Sequence, residues 1–238
     1  MVRIAVAPLA RAVVVAAAFA GTGCGLISSD VTNFNLDLPE KKFSIDSAGW
    51  DIDAQRADAY FNTSCSSSTQ CNTAAELACE MDCSGMCNAN SRCELNMEVG
   101  LHQGVNLVME KPELQSINDE PVIKVTIDAV TYAITQNTLN VETPELAVYV
   151  APMSIMDPKD SMAKKIGTIA PIAAGATTPT EQQLMFTPDG KAALVAVMNN
   201  YKTPFNVIVG STLTVQPGQP VPAGKLDAVV NIRAHAGL

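Results

Sequence analysis

The chain of 238 residues has few basic side chains and few histidines, and both shortages limit its possible functions. Fifteen Lys and Arg stand against 24 Asp and Glu, a formal net charge of −9. Nucleic-acid binding depends on clustered Lys and Arg that neutralise phosphates, so this composition disfavours it. The two histidines, His102 and His235, leave few groups for general base catalysis or for a zinc site.

Sequence motifs of the common enzyme classes are missing as well. The chain contains no Walker loop, no Gly-x-Gly-x-x-Gly, no His-Glu-x-x-His and no Gly-x-Ser-x-Gly elbow. We therefore predict no catalytic residue, no cofactor and no metal ligand.

Apolar runs long enough to form a permanent membrane span are also absent. A spanning helix needs about 18 or more apolar residues, whereas the run from Ala12 to Ala20 contains only 9. This run follows Arg3 and Arg11 and precedes small residues, which is the three-part pattern of an export signal.

The end of this segment offers two cleavage sites. Residues 18–20 (Ala-Phe-Ala) fit the site of ordinary signal peptidase. Residues 21–24 (Gly-Thr-Gly-Cys) resemble the lipobox of bacterial lipoproteins, whose usual form is Leu-Ala/Ser-Gly/Ala-Cys. The final glycine and Cys24 match that form, whereas glycine replaces the leucine and threonine stands for alanine or serine.

The lipobox resemblance implies a membrane anchor. Residues 1–23 would be the signal peptide, Cys24 would carry acyl chains, and residues 24–30 would form a tether. Each buried CH2 contributes about 0.8 kcal/mol, so several chains would hold the protein durably at a bilayer. Gly25 replaces the Asp that retains enteric lipoproteins on the inner membrane, which implies the outer membrane, on its periplasmic or surface side. The alternative is a secreted protein with a free Cys24.

Six further cysteines lie within one short segment and form an even set. They lack the Cys-x2-Cys pairs typical of zinc and iron–sulfur sites. In an oxidising compartment such a set predicts three disulfides, among which fifteen pairings are possible. The cysteines are Cys65, Cys71, Cys79, Cys83, Cys87 and Cys93.

A short helix is predicted inside this cluster. Residues 73–76 (Thr-Ala-Ala-Glu) match a capping box, so the helix would begin there and run to about Cys83. Cys79 and Cys83 would then point side by side from one helical face. We therefore expect each to bond a cysteine in a flanking loop. The disulfides would stabilise a small insertion with little core of its own, exposed enough to be a candidate partner-binding surface.

Short runs that alternate apolar and polar residues fill most of the remaining sequence. Residues 123–127, 205–209 and 226–232 are examples, and they are rich in β-branched side chains. A change of face after Ile127 predicts a bulge near Asp128. Residues 190–198 fit a helix, with Asp189 as its cap, nearly as well as a strand.

About eight or nine such runs, separated by Pro and Gly, predict an all-β fold. We expect an antiparallel β-sandwich, or a barrel-like variant, with a small disulfide-rich helical insertion. The domain would span residues 31–238, with residues 51–93 as the insertion and Trp50 buried at the junction.

Three functional classes remain. A lipid-anchored, non-catalytic protein of the cell envelope would bind another protein or a surface polymer. A carrier would hold an apolar ligand, such as a lipid, in a cavity lined by Met and Ala between the sheets. A hydrolase is the third class, and it would need His102 or His235 to meet an acid and a nucleophile in a cleft.

Overall fold

The computed structural model describes residues 33–50, 52, 54–79, 83–117 and 124–237. The expectations for the signal segment, for Cys24 and for the tether fall outside these residues. Within them, two antiparallel sheets form a β-sandwich, which confirms the predicted fold class.

The described part of the chain contains eleven strands, four α-helices and two 3-10 helices, at Ser47–Trp50 and Pro112–Ile117. Two strands have only two residues each, too few for an alternating pattern in the sequence. The strands are β1 (Asn33–Asn35), β2 (Lys41–Asp46), β3 (Cys83–Cys87), β4 (Cys93–Val105), β5 (Lys124–Asn137), β6 (Leu146–Pro152), β7 (Lys164–Ile169), β8 (Gln182–Gln183), β9 (Met185–Phe186), β10 (Phe205–Val215) and β11 (Lys225–Gly237). The helices are α1 (Ala54–Phe61), α2 (Ser68–Ala78), α3 (Leu107–Glu110) and α4 (Gly190–Asn199).

The first sheet has five strands arranged around β11. One side of β11 pairs with β5, which in turn pairs with β8. The other side pairs with β1 near one end and with β2 near the other. The second sheet has six strands in the order β3-β4-β10-β6-β7-β9. Alternate residues of the long strands point into one continuous hydrophobic core between the sheets.

The predicted bulge is present at Asp128. Ile127 pairs with Ala234 and Ala129 with Arg233, so Asp128 has no opposite residue on β11. An extra residue of this kind locally increases strand twist. Residues 190–199 adopt the helical alternative, although the Asp189 side chain makes no capping hydrogen bond.

The cysteine-rich insertion shares the core of the sandwich. Helix α2 packs on β3, and β3 extends the six-stranded sheet by pairing with the first residues of β4. Ala57, Tyr60 and Ala75 are buried in the same hydrophobic cluster as the strands. Trp50 is also buried, as predicted.

The six cysteines form three disulfides, as predicted. Cys65 bonds to Cys87, Cys71 to Cys93, and Cys79 to Cys83. The Cα–Cα distances of 5.3 to 6.3 Å lie in the usual range for disulfides. The sulfurs of the first two bonds are neighbours: Sγ of Cys65, Cys71 and Cys87 lie within 4.8 Å of one another.

The expectation that Cys79 and Cys83 would not bond each other is wrong. Helix α2 begins at Ser68 and ends at Ala78, so the Thr73 capping box lies inside the helix and does not start it. Cys79 is already extended, with φ −146° and ψ 143°, and Cys83 begins strand β3. Because neither cysteine lies within the helix, the geometry of a shared helical face does not apply to them.

Candidate functional site

Strands β2 and β4 each have an edge that no other described strand covers. Strand β10 pairs with β4 along its whole length, whereas β3 pairs only with residues 93–97. Residues 98–105 therefore have one edge without a strand partner in the described parts of the chain. Strand β2 pairs with β11 alone, and it lies against β4 on the same side of the sandwich.

A groove of about 760 Å³ runs between these two edges. Its volume falls within the range of about 300–1,000 Å³ that is typical of ligand sites. Consecutive residues of both strands line it, which indicates a groove along strand edges and not over one face. The lining consists of Lys42–Ser44, Gly100–Gln103, Glu40, Thr135 and Asp227–Val229.

A largely buried ion pair links β2 to the helix that follows β4. The Lys41 ammonium lies 2.6 Å from a carboxylate oxygen of Glu110, with side chains 10% and 17% exposed. The ammonium also donates to the carbonyl of Gly104 at 3.4 Å. Because Glu110 lies on α3, directly after β4, the pair fixes the spacing between β2 and the end of β4.

The hydrogen bond to Gly104 also fixes the direction of the β4 backbone. In an antiparallel strand, alternate residues direct both backbone polar groups to the same side. The carbonyl of Gly104 faces Lys41 on β2, so the N–H and C=O groups of His102 and Gly100 also point away from β10. The edge groove is therefore bordered by backbone donors and acceptors.

The groove carries charges of both signs. The hydroxyl of Ser44, followed by the nearby ammonium of Lys225, lowers the pKa of Asp227, so this carboxyl is ionised at neutral pH. Lys42 supplies a positive charge and Glu40 a second negative charge. Phe43, Leu101 and Val229 add apolar surface. The carrier hypothesis expected methionine and alanine around a cavity, but only Ala228 in this lining is of either type.

The two histidines lie on different sheets. His102 is exposed on β4, where it borders the edge groove. His235 is exposed on β11, and its Nδ1 lies 3.0 Å from both carboxylate oxygens of Asp128 at the bulge. The structure does not bring the two rings together. Within the described residues, neither ring hydrogen-bonds to a hydroxyl or thiol that would serve as a nucleophile.

A second cleft, of about 480 Å³, lies on the outer face of β4 and also reaches His102. The connection between β6 and β7, residues 153–163, forms its other wall with Met156 and Pro158. Sequence reasoning missed this arrangement, although the sequence does place three methionines in that short connection.

Comparison of the chain with protein-family models, with curated proteins and with solved structures gives no match. Among the described residues, the helices are too short or too polar to span a bilayer.

Proposed function

We propose that this chain is a lipoprotein of the bacterial cell envelope that acts by binding and not by catalysis. Its ligand would be an extended segment of another envelope protein, held in the edge groove between β2 and β4.

The cysteines support the proposed location. Three disulfides use all six cysteines from Cys65 to Cys93, as expected of a protein that folds in an oxidising compartment. The seventh cysteine, Cys24, is the one that the lipobox resemblance assigns to lipidation. An odd cysteine in an exported protein requires an explanation, and acylation provides one.

The observation that carries the proposed function is a pair of strand edges that border one groove and have no strand partner among the described residues. An edge of this kind presents unpaired backbone groups that an added strand can bind. Gly100 and His102 direct their backbone groups toward that side. The side chains of Leu101 and Phe43 would then contact alternate side chains of the bound segment, and Lys42 and Asp227 would bind its polar groups.

The tether limits where such a partner lies. Asn33 at the start of β1 lies nine positions after Cys24, and a fully extended chain over that separation would reach about 30 Å. A chain anchored through Cys24 would hold the sandwich close to the bilayer. The acidic sequence gives little attraction to anionic head groups, so attachment would depend on the acyl chains. The partner would be another protein of the envelope, within this reach.

Photo-crosslinking in intact cells tests the edge groove. A photoreactive residue at Gln103, which lines the groove, should capture one defined protein, and mass spectrometry should locate the bond in an extended segment of it. The same residue at Lys191, exposed on α4, is the control site and should not capture that protein. Equal capture from both positions would contradict the proposal.

Two substitutions at one position separate edge binding from other contacts. Gly100→Pro removes a backbone N–H that points away from β10, so it should preserve the sheet but abolish the crosslink. Gly100→Ala retains the N–H, and a Cβ there would lie 3.6 Å from Pro158, an ordinary contact. The alanine variant should crosslink like the parent. Undiminished crosslinking of the proline variant would exclude strand addition at this edge. Separately, stoichiometric lipid in purified Cys24→Ala protein, which cannot be acylated at that position, would favour the carrier hypothesis.

A further inference from the structure

Three exposed methionines belong to a single connection over β4. Met153, Met156 and Met162 lie between β6 and β7 and are 49%, 53% and 48% exposed. Thioether side chains that remain half in solvent contribute little to a core. Two of them, Met153 and Met156, lie over β4 on either side of His102 in sequence register, at Gly104 and at the cleft that includes Gly100, which suggests a different role.

The connection is fixed to the sheet beneath it. Asn206 on β10 is only 1% exposed, and its amide donates to the carbonyls of Met153 at 3.0 Å and Ile155 at 2.8 Å. Pro158 packs over Gly210, where a Cβ would lie only 2.5 Å from the proline ring. The backbone is therefore held on both sides of Met156. A fixed backbone reduces the entropy that these side chains lose on binding a ligand.

On β4, His102 lies between Gly104, which Met153 covers, and Gly100, which lines a cleft together with Met156. Gly100, His102 and Gly104 occupy alternate positions on the outer face of β4. Met153 covers Gly104, with its Cε 2.6 Å and its Sδ 3.3 Å from the place where a Cβ would be. On the other side, Met156 and His102 line the same cleft over Gly100. Glycine at 104 is what allows Met153 to lie so close to the strand.

A buried acceptor points to the same place. The Oδ1 atom of Asn206 is buried without a hydrogen-bond partner, and it lies 3.7 Å from the Cβ position of Gly104, beside Met153. An unpaired buried oxygen costs free energy. A cation bound next to Met153, or a water held by that cation, would offset this cost.

We propose that His102, Met153 and Met156 bind one Cu(I) ion. Thioether sulfur is a soft ligand that selects Cu(I), and imidazole also suits copper, whereas hard cations prefer oxygen ligands. The one cation that lines the cleft, Lys159, is paired with Glu98 at 2.9 Å, and Asp157 adds a negative charge nearby. The site needs no thiol, in agreement with the use of all six described cysteines in disulfides.

Anaerobic competition for Cu(I) tests this site on the protein as cells produce it. The parent should withdraw one Cu(I) per chain from bicinchoninate, a coloured Cu(I) chelator. Met153→Leu, Met156→Leu and His102→Gln should each weaken binding about tenfold or more. Leucine has nearly the volume of methionine, so the first two variants should remain folded, which circular dichroism would verify.

Matched controls use methionine and histidine residues elsewhere on the surface. Met185→Leu on β9 and His235→Gln on β11 should bind Cu(I) like the parent. X-ray absorption of the complex should give two sulfur neighbours and one nitrogen neighbour. Failure of the parent to take Cu(I) from the chelator, or equal losses in the control variants, would overturn the proposal. Equally tight binding of Zn(II) would also overturn it, because it would show that sulfur does not select the ion.

Discussion

Cys71 on α2 is disulfide-bonded to Cys93, the first residue of β4, and both residues are fully buried. This bond links the helical insertion to β4, the strand that borders the edge groove. The insertion is therefore held to the sandwich by a covalent bond as well as by the shared core. Cys79 and Cys83, in contrast, bond within the insertion, across four positions of sequence.

The two disulfides should differ in their effect on stability. The Cys71–Cys93 bond closes a segment with a sequence separation of 22, against 4 for Cys79–Cys83. Loop-closure entropy predicts a loss of about 3 kcal/mol for the Cys71→Ala/Cys93→Ala variant and about 2 kcal/mol for Cys79→Ala/Cys83→Ala. Urea unfolding monitored by circular dichroism measures both values. A larger loss for the Cys79→Ala/Cys83→Ala variant would mean that the Cys71–Cys93 bond does not stabilise the attachment of the insertion to the sandwich.

The buried ion pair between Lys41 and Glu110 gives a second prediction. Lys41→Met leaves the Glu110 carboxylate largely buried without its partner, so the free energy of unfolding should fall by about 3 kcal/mol. Lys41→Met with Glu110→Leu should recover most of that loss, because no unpaired charge remains. The neighbouring exposed residue provides the control, and Lys42→Met should change stability by less than about 0.5 kcal/mol. Similar losses in Lys41→Met and Lys42→Met would show that the buried Lys41–Glu110 pair is not the cause of the loss.

Glu181 gives a prediction on pH dependence. Its carboxylate accepts hydrogen bonds from Thr131 at 2.8 Å and Asn231 at 3.0 Å, and it also pairs with Arg233. The hydrogen bond from Thr131, followed by the interactions with Arg233, lowers the pKa of Glu181 below its ordinary value of 4.5. A carboxyl with a lowered pKa contributes stability above its unfolded pKa and loses it as the pH falls through its folded pKa.

The Glu181→Gln variant should therefore be less stable than the parent at pH 7. The difference should shrink once the pH falls below 4.5, where the parent carboxyl becomes protonated in the unfolded and then in the folded state. Urea midpoints at pH 7 and at several values below 4.5 measure this change. A difference that stays constant over this range would show that the carboxylate charge is not involved.

The proposed anchor predicts where a variant protein will be found. Cys24→Ala removes the acylation site, and an acidic chain is only weakly attracted to anionic head groups. The variant should move from the membrane pellet to the soluble fraction of the envelope. Gly25→Ala, which retains the cysteine, is the matched control and should stay in the pellet. Sedimentation of both variants with membranes would show that something other than lipid holds the protein.

The sequence predicted features that depend on local pattern. Alternation indicated which residues of the strands face the core, and the change of face after Ile127 located the bulge at Asp128. The pairing of Cys79 with Cys83 was not predictable in this way, because it depends on where α2 ends, and a capping-box pattern inside the helix gave the wrong start.

The candidate sites depend on contacts between residues distant in sequence. Among the described residues, the edge of β4 beyond Met97 has no strand partner because β3 begins opposite Met97, which only the register of the two strands reveals. Likewise, Met153 reaches β4 because Asn206, 53 positions away, binds its carbonyl. Alternation identifies the faces of a strand, but it carries no information about its neighbours.

The most direct test of the proposed location is the mass of the N-terminal peptide of the protein isolated from its own cells. We expect a chain that begins at Cys24 and carries acyl groups, with the six later cysteines oxidised. An unmodified chain that begins at Gly21, or one that retains residues 1–23, would contradict it.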